Sequence, residues 1–291
     1  EYLEALKQYN ENPTGEDAVY NSTKNRYEYF GNTDWYNLIY KDVMPATEQA
    51  VSISGGGEKA SYYLSGRYYR QDGIFKYTPD TYNKYNIRGK GEVKLNDWIT
   101  FQNNTEITTY DYVYPMFADG DGNIWRQFEH QGFPMAVIYN PDGSYTNTAV
   151  YTGVASYMEG DNKSVLNHTY VRNTAGLVLK PLSGLTVKGD FSYARTWQKD
   201  VRTNNFINFS NAPGETSRFG RSLLREWNED VQYLAGNFTA NYTKTFADKH
   251  DFSALLGYNV EASTTKKLRA QRDGLLLEDK PDFNLMDGLN Y

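Results

Sequence analysis

The sequence predicts an all-β fold, a transmembrane antiparallel β-barrel with about eight strands in this chain, on three observations. Apolar and polar residues alternate with period two through most of the chain after residue 47. The stretches so marked are joined alternately by short turns and long segments. Aromatic residues make up 16% of the 291 residues, led by 27 Tyr. Tyrosine is apolar in its ring and wet at its tip, so it gathers at interfaces and membrane boundaries.

Eight strands are expected, at 47 to 55, 58 to 70, 82 to 95, 99 to 110, 168 to 180, 185 to 195, 230 to 244 and 251 to 263. In the second, Tyr62, Leu64, Gly66 and Tyr68 share one face and Ser61, Tyr63, Ser65 and Arg67 the other. The third is the clearest. Its apolar side presents Tyr85, Ile87, Val93 and Leu95, which are expected to face lipid, while Lys84, Asn86, Arg88, Lys90, Glu92 and Lys94 fill the opposite side. In the sixth, Leu185, Val187, Gly189, Phe191 and Tyr193 oppose Thr186, Lys188, Asp190 and Ser192. The last sets Phe252, Ala254, Leu256, Tyr258 and Val260 against a polar face on which Leu255 is the exception.

Short turns are expected at 55 to 57, 96 to 98, 181 to 184 and 247 to 250, and long segments at 71 to 81, 111 to 167, 196 to 229 and 264 to 291. Barrels of the outer-membrane type have such loop asymmetry, with strands of about 9 to 11 residues crossing the bilayer. A soluble β-sandwich would also alternate strand by strand, but it would not make long and short connections take turns. Residues 1–46 form a connector into the barrel formed by residues 47–291. "YLEALKQY" suits a short helix, "NENPTGED" a turn-rich linker, and "TDWYNLIYKDVMP" an aromatic-apolar segment that Pro45 ends.

A net charge of -6 and a pI near 5.2 argue against nucleic acid as a partner, because phosphate binding needs a basic footprint. Zero Cys removes disulfides and thiolate chemistry. Mean hydropathy is -0.74, and no apolar run nears the roughly 18 residues of a spanning helix. A barrel escapes such a window because each strand shows lipid only alternate side chains. No signal-peptide pattern opens the chain.

The order of three pieces carries a family resemblance. "GNTDWYNLIYK" (Gly31 to Lys41), "VSISGGGEKASYYLSGRYYRQDGIF" (Val51 to Phe75) and "YNKYNIRGK" (Tyr82 to Lys90) resemble the start of the barrel in the SusC/RagA family of TonB-dependent outer-membrane transporters of the Bacteroidetes. The motif resemblance covers residues 31 to 110, and the pattern of strands and loops extends it to about residue 275. It implies a 22-stranded barrel in the bacterial outer membrane, closed by a plug and opened through a segment that TonB contacts. A SusD-like surface lipoprotein would lie over the mouth, and the substrate would be a glycan or a peptide. This chain would be an internal piece without coupling box, plug or closing strand, so those functional residues map to no position here. The alternative function is a surface adhesin or glycan-binding β protein, and a self-contained eight-stranded barrel is a third possibility.

No catalytic site is expected. His130, His168 and His250 are far apart, no H-E-x-x-H, G-x-S-x-G or phosphate-binding glycine loop occurs, and no cofactor or metal is predicted. Asp119, Asp121 and Asn123 have calcium-loop spacing, but Ile124 and His130 stand where that loop needs Gly and Glu, so a plain turn is the better reading. Contact with a substrate or partner is expected in the long loops, at Trp125, Arg126, Phe128 and His130 in the first and Trp197, Arg221 and Trp227 in the second. Exposed rings stack on sugars or anchor proteins. The plainer expectation is that rings such as Phe117, Phe133 and Tyr139 pack the loop's own core, and that loop Arg residues pair with Glu215, Glu226 and Asp230.

Overall fold

A computed structural model describes residues 15–77, 80–119 and 124–288. The helical expectation for residues 2 to 9 falls outside them. Eight long strands form one antiparallel meander: β3 (Ala46–Gly56), β4 (Ala60–Asp72), β5 (Thr81–Lys94), β6 (Ile99–Pro115), β7 (Lys163–Leu182), β8 (Leu185–Asn204), β11 (Leu223–Phe246) and β12 (His250–Asp273). Each pairs only with its neighbours in the order β12-β11-β8-β7-β6-β5-β4-β3. Two small hairpins that the alternation does not reveal complete the β-structure, β1 (Ala18–Asn21) with β2 (Arg26–Tyr29) and β9 (Ile207–Phe209) with β10 (Ser217–Phe219).

The eight expected strands are all present, but those beside the long loops run further than expected. β7 begins at Lys163, β8 continues to Asn204, β11 starts at Leu223 and β12 runs to Asp273. The extensions pair in continuous register, and their alternation is hidden by polar residues on both faces. The long connections are therefore shorter than expected, 116 to 162, 205 to 222 and from 274 onward. Tight turns close the other end. Between β7 and β8 Leu182 faces Leu185, and Gly184 takes a φ of +85° where a side chain would also strike the Thr243 carbonyl.

Among the described residues β3 and β12 do not pair with each other, so the sheet is open and is not a closed eight-stranded barrel. The register carries the expected Gly66 and Ile87 onto one continuous apolar face, on which Val51, Gly66, Ile87, Ile107 and Val171 stand side by side across five strands. A second row runs Phe101, Leu177, Gly189, Phe238 and Tyr258. Among the described residues nothing covers this face. Ile53 is 58% exposed, Ile87 53%, Leu256 66% and Tyr258 67%. Five or so outward residues per strand, at about 3.4 Å rise and a tilt near 40°, give a band of roughly 25 Å, the height of a lipid-facing belt.

The packed core lies instead among the long connections. Helix α1 (Trp35–Ile39) is capped by Asp34, whose carboxylate accepts from the Asn37 N–H at 3.0 Å, and it buries Trp35 and Ile39 one turn apart. With Tyr40, Phe75, Ala136, Val154 and Tyr157 they form one cluster, in which Phe75 and Tyr157 stack at 5.1 Å. Helices α2 (Ile124–Gln131), α3 (Asn147–Tyr151) and α4 (Val154–Glu159) lie in the first long loop. Val150, Ala155, Ala118, Ile207 and Phe209 make a second cluster that joins this loop to the next. The connector before β3 thus packs as part of a loop cap.

Candidate functional site: the aromatic wall of the polar face

The face opposite the apolar belt carries a wall of rings just below the cap. β4, β5, β6 and β7 pair so that Tyr69, Tyr82, Tyr110, Tyr112 and His168 point to this side, with Tyr114 one step higher. Tyr82 is central, with ring centroids 5.3 Å from Tyr110 and 6.2 Å from both Tyr69 and Tyr112. Tyr110 stacks on His168 at 4.5 Å and Tyr112 on Tyr114 at 5.0 Å. Each ring is half-buried against its neighbours.

Two clefts meet at Tyr82. The upper, 430 Å³, is lined by Met44, Asp80, Tyr112, Tyr114 and Phe75 among others, and the lower, 370 Å³, by Arg67, Tyr69, Lys84, Asn86, Glu106 and Thr108. At the rim of the upper cleft, buried Asp80 accepts from the Ile74 N–H at 3.0 Å. Burial holds its carboxyl above the usual carboxylate range, against the opposing pull of the Ile74 and Phe75 N–H groups, Lys41 and the Tyr112 hydroxyl.

The residues expected to make contacts are spread over three places. Trp125, Arg126, Phe128 and His130 lie on α2 in the cap, where the Arg126 and His130 side chains are exposed. Arg221 is exposed in the second loop, 3.8 Å from Asp273. Trp197 and Trp227 stand in strands on opposite sides of the sheet. Trp197 shares the apolar face with Ile87, and the Arg195 guanidinium lies 4.5 Å over its ring. Trp227 faces the polar side, with Lys267 at 5.7 Å. The acids expected to neutralise the loop arginines serve strand cations instead: Asp230 holds Arg195 at 2.7 Å and Glu226 holds Lys199 at 3.0 Å. Each acid is the diagonal neighbour of its cation on the adjacent strand, whereas Arg218 and Arg221 lie in the second long connection and Arg202 and Arg225 stand within β8 and β11.

Of the loop rings, Phe117 is buried against Phe219, whereas Phe133 and Tyr139 are 58% and 44% exposed. Asp121 and Asn123 fall outside the described residues, and among the described residues no group of three His, Asp or Glu side chains is placed to hold a metal. Sequence alternation missed the ring wall because its members come from four strands. The available signal was a tyrosine at the loop end of the polar faces of β4, β5 and β6.

One uncovered apolar face, one polar face, tight turns at one end and a packed cap at the other define a segment of a transmembrane β-barrel. No family model matches the chain. It is similar to TonB-dependent receptor P26 of Formosa agariphila, 30% identical over 266 residues that cover 88% of this chain and 25% of that protein. TonB-dependent receptor P39 of the same organism is 27% identical over 221 residues, 72% of this chain and 19% of that protein. Among solved structures, the RagAB peptide importer in its closed-closed state matches with a TM-score of 0.64 at 18% identity, covering 96% of this chain and 31% of that chain. A structure of the RagAB peptide transporter gives a TM-score of 0.60 at 19% identity, covering 100% and 32%. The chain is thus a stretch of barrel that is similar in sequence to TonB-dependent receptors, proteins of the Gram-negative outer membrane, and that shares its fold with the RagAB transporter. It spans a quarter or less of the curated relatives it matches.

Proposed function

We propose that this segment forms part of the wall and mouth of an energy-coupled importer, which takes up a glycan or peptide nutrient without covalent chemistry at this chain. The opposition of the two faces carries this reading. A face of Ile, Leu, Phe and Tyr left bare across eight strands suits lipid, and the face behind it suits a water-filled lumen. The open edges at β3 and β12 would pair with further strands, because an unpaired backbone in lipid costs several kcal/mol per group.

Within this reading Tyr85, Ile87, Val93 and Leu95 face lipid, and Trp197 under Arg195 is an anchor at the membrane boundary rather than a substrate contact. Trp227 faces the lumen. Trp125, Arg126, Phe128, His130 and Arg221, on the cap, would meet a SusD-like surface lipoprotein or the arriving substrate. TonB would act through a part of the protein beyond this chain.

The test is made in the producing bacterium. Deleting the receptor should abolish growth on at least one oligomeric glycan or peptide, and the tagged receptor should bring a surface lipoprotein with it from detergent extracts. Restoring the Tyr82→Ala form should weaken uptake by about tenfold or more, as the loss of a central aromatic anchor does. Unchanged growth of the deletion strain on every oligomer tried would sink the proposal.

A further inference from the structure

Below the tyrosines the polar face is cationic, although the chain as a whole carries a net charge of -6. Lys84 stands in the row of Tyr110 and His168. Four positions along the strands, Arg88 and Arg172 flank Glu106, and the row beyond sets Lys90 beside Asn104 and Thr174. Between these lies a neutral row of Asn86, Thr108 and Tyr170, in which Asn86 donates to Thr108 at 2.6 Å. No carboxylate among the described residues forms an ion pair with Lys84, Arg88, Lys90 or Arg172. His168 adds a Nδ1 with no hydrogen-bond partner.

We infer that this wall binds an anionic sugar chain, a carboxylated oligosaccharide whose rings lie against Tyr82 and Tyr110 while its carboxylates meet Lys84 and Arg172. The inference rests on the importer reading and names the substrate class of the same face. Charge complementarity selects the anion: cations gathered along a low-dielectric wall raise the local concentration of the opposite charge. The neighbours select the sugar. Ring faces receive C–H groups, and the amide and hydroxyl row of Asn86, Thr108 and Tyr170 suits a chain rich in hydroxyls. A peptide would look for separate apolar side-chain pockets, and the lower cleft, where Lys84 stands, is lined instead by Arg67, Asn86, Glu106, Thr108 and two tyrosines.

The test uses the intact receptor purified in detergent, with hexagalacturonate, its fully methyl-esterified form and a hexaglutamate peptide as probes at low salt. Hexagalacturonate should bind at least tenfold tighter than its neutral ester. Lys84→Gln with Arg172→Gln should remove that preference, and Lys84→Arg with Arg172→Lys should keep it. The preference should fall as salt rises. Equal affinity for the acid and its ester, or tighter binding of hexaglutamate than of hexagalacturonate, overturns the inference. Uptake of neutral oligomers by the producing bacterium would then leave the importer reading standing, whereas uptake of none would remove both.

Discussion

The carboxylate of Asp80 lies directly over Gly73. It accepts the Ile74 N–H at 3.0 Å, and the Gly73 N–H donates to the Asp80 carbonyl, so the ends of the β4 to β5 connection are tied to each other. A Cβ on Gly73 would overlap the Asp80 carboxyl, which explains the glycine in the "QDGIF" stretch by close approach.

Gly73→Ala should therefore dislodge Asp80 and loosen the connection, at a cost of about 1 to 3 kcal/mol, as for other overpacked sites. Lys41 also donates to the Gly73 carbonyl at 3.3 Å, so the loosening should reach the segment after α1. Faster protease cleavage near residues 73–80 of the intact receptor is the expected result. Cleavage at the parent rate would count against the tie.

The second prediction concerns the bare face. Ile87→Arg or Val93→Arg in the intact receptor should cost about 2 to 4 kcal/mol if each lies near the bilayer midplane. Asn86→Arg, on the other side of the same strand, should be tolerated. Thermal unfolding in detergent or lipid reads the difference, and the reverse ranking would mean that lipid and lumen have been exchanged.

Truncation of the cap should separate cap from barrel. Trp35 is 4% exposed, and its indole N–H donates to the Phe133 carbonyl at 2.9 Å. Trp35→Ala should cost about 3 to 5 kcal/mol, from the cavity it leaves and the carbonyl it strands. The expected readout is rapid cleavage of residues 124–160 while the strands stay resistant to protease. Loss of the strands together with the cap would show a single cooperative unit.

A pH dependence follows from the contact between the first hairpin and the cap. The Tyr27 hydroxyl donates to Asp142 at 2.7 Å. The Ser144 hydroxyl and N–H, with Tyr27, hold the Asp142 carboxyl below its ordinary range, while burial first and then Asp142 push Tyr27 up to about 12. A depressed acid stabilises the folded form above its unfolded value, about 3.9, and that gain is lost as pH falls through the folded value. A raised tyrosine stabilises below about 10, and the gain is lost as pH rises through its folded value near 12. Hydrogen exchange in residues 18–29, taken relative to the intrinsic amide rate at each pH, should thus be slowest from about pH 4 to 10. Tyr27→Phe should raise it within that window, and an unchanged rate would deny the contact any weight.

Much of the sheet was legible because a half-lipid, half-water strand writes its environment into every second residue. Val51, Ile87, Phe191 and Val260 announce one face, and Ser65, Arg88, Asp190 and Glu261 the other. The alternation faded where both faces are polar, which hid the extension of β8 to Asn204 and of β12 to Asp273. The candidate site was less legible. The rings of α2 and Arg221 are local in sequence and could be named, but the wall around Tyr82 gathers side chains from Tyr69 to His168.

The sequence by itself determined that the chain is β, that its strands have two unlike faces, and which family its opening motifs resemble, because each of these is written within a few dozen consecutive residues. Only the tertiary structure decided that the sheet stays open between β3 and β12, that Trp197 and Trp227 face opposite ways, and that the buried core is a loop cap joining Trp35 to Tyr157. Those outcomes depend on strand register and on contacts across more than a hundred residues, for which no local pattern stands in.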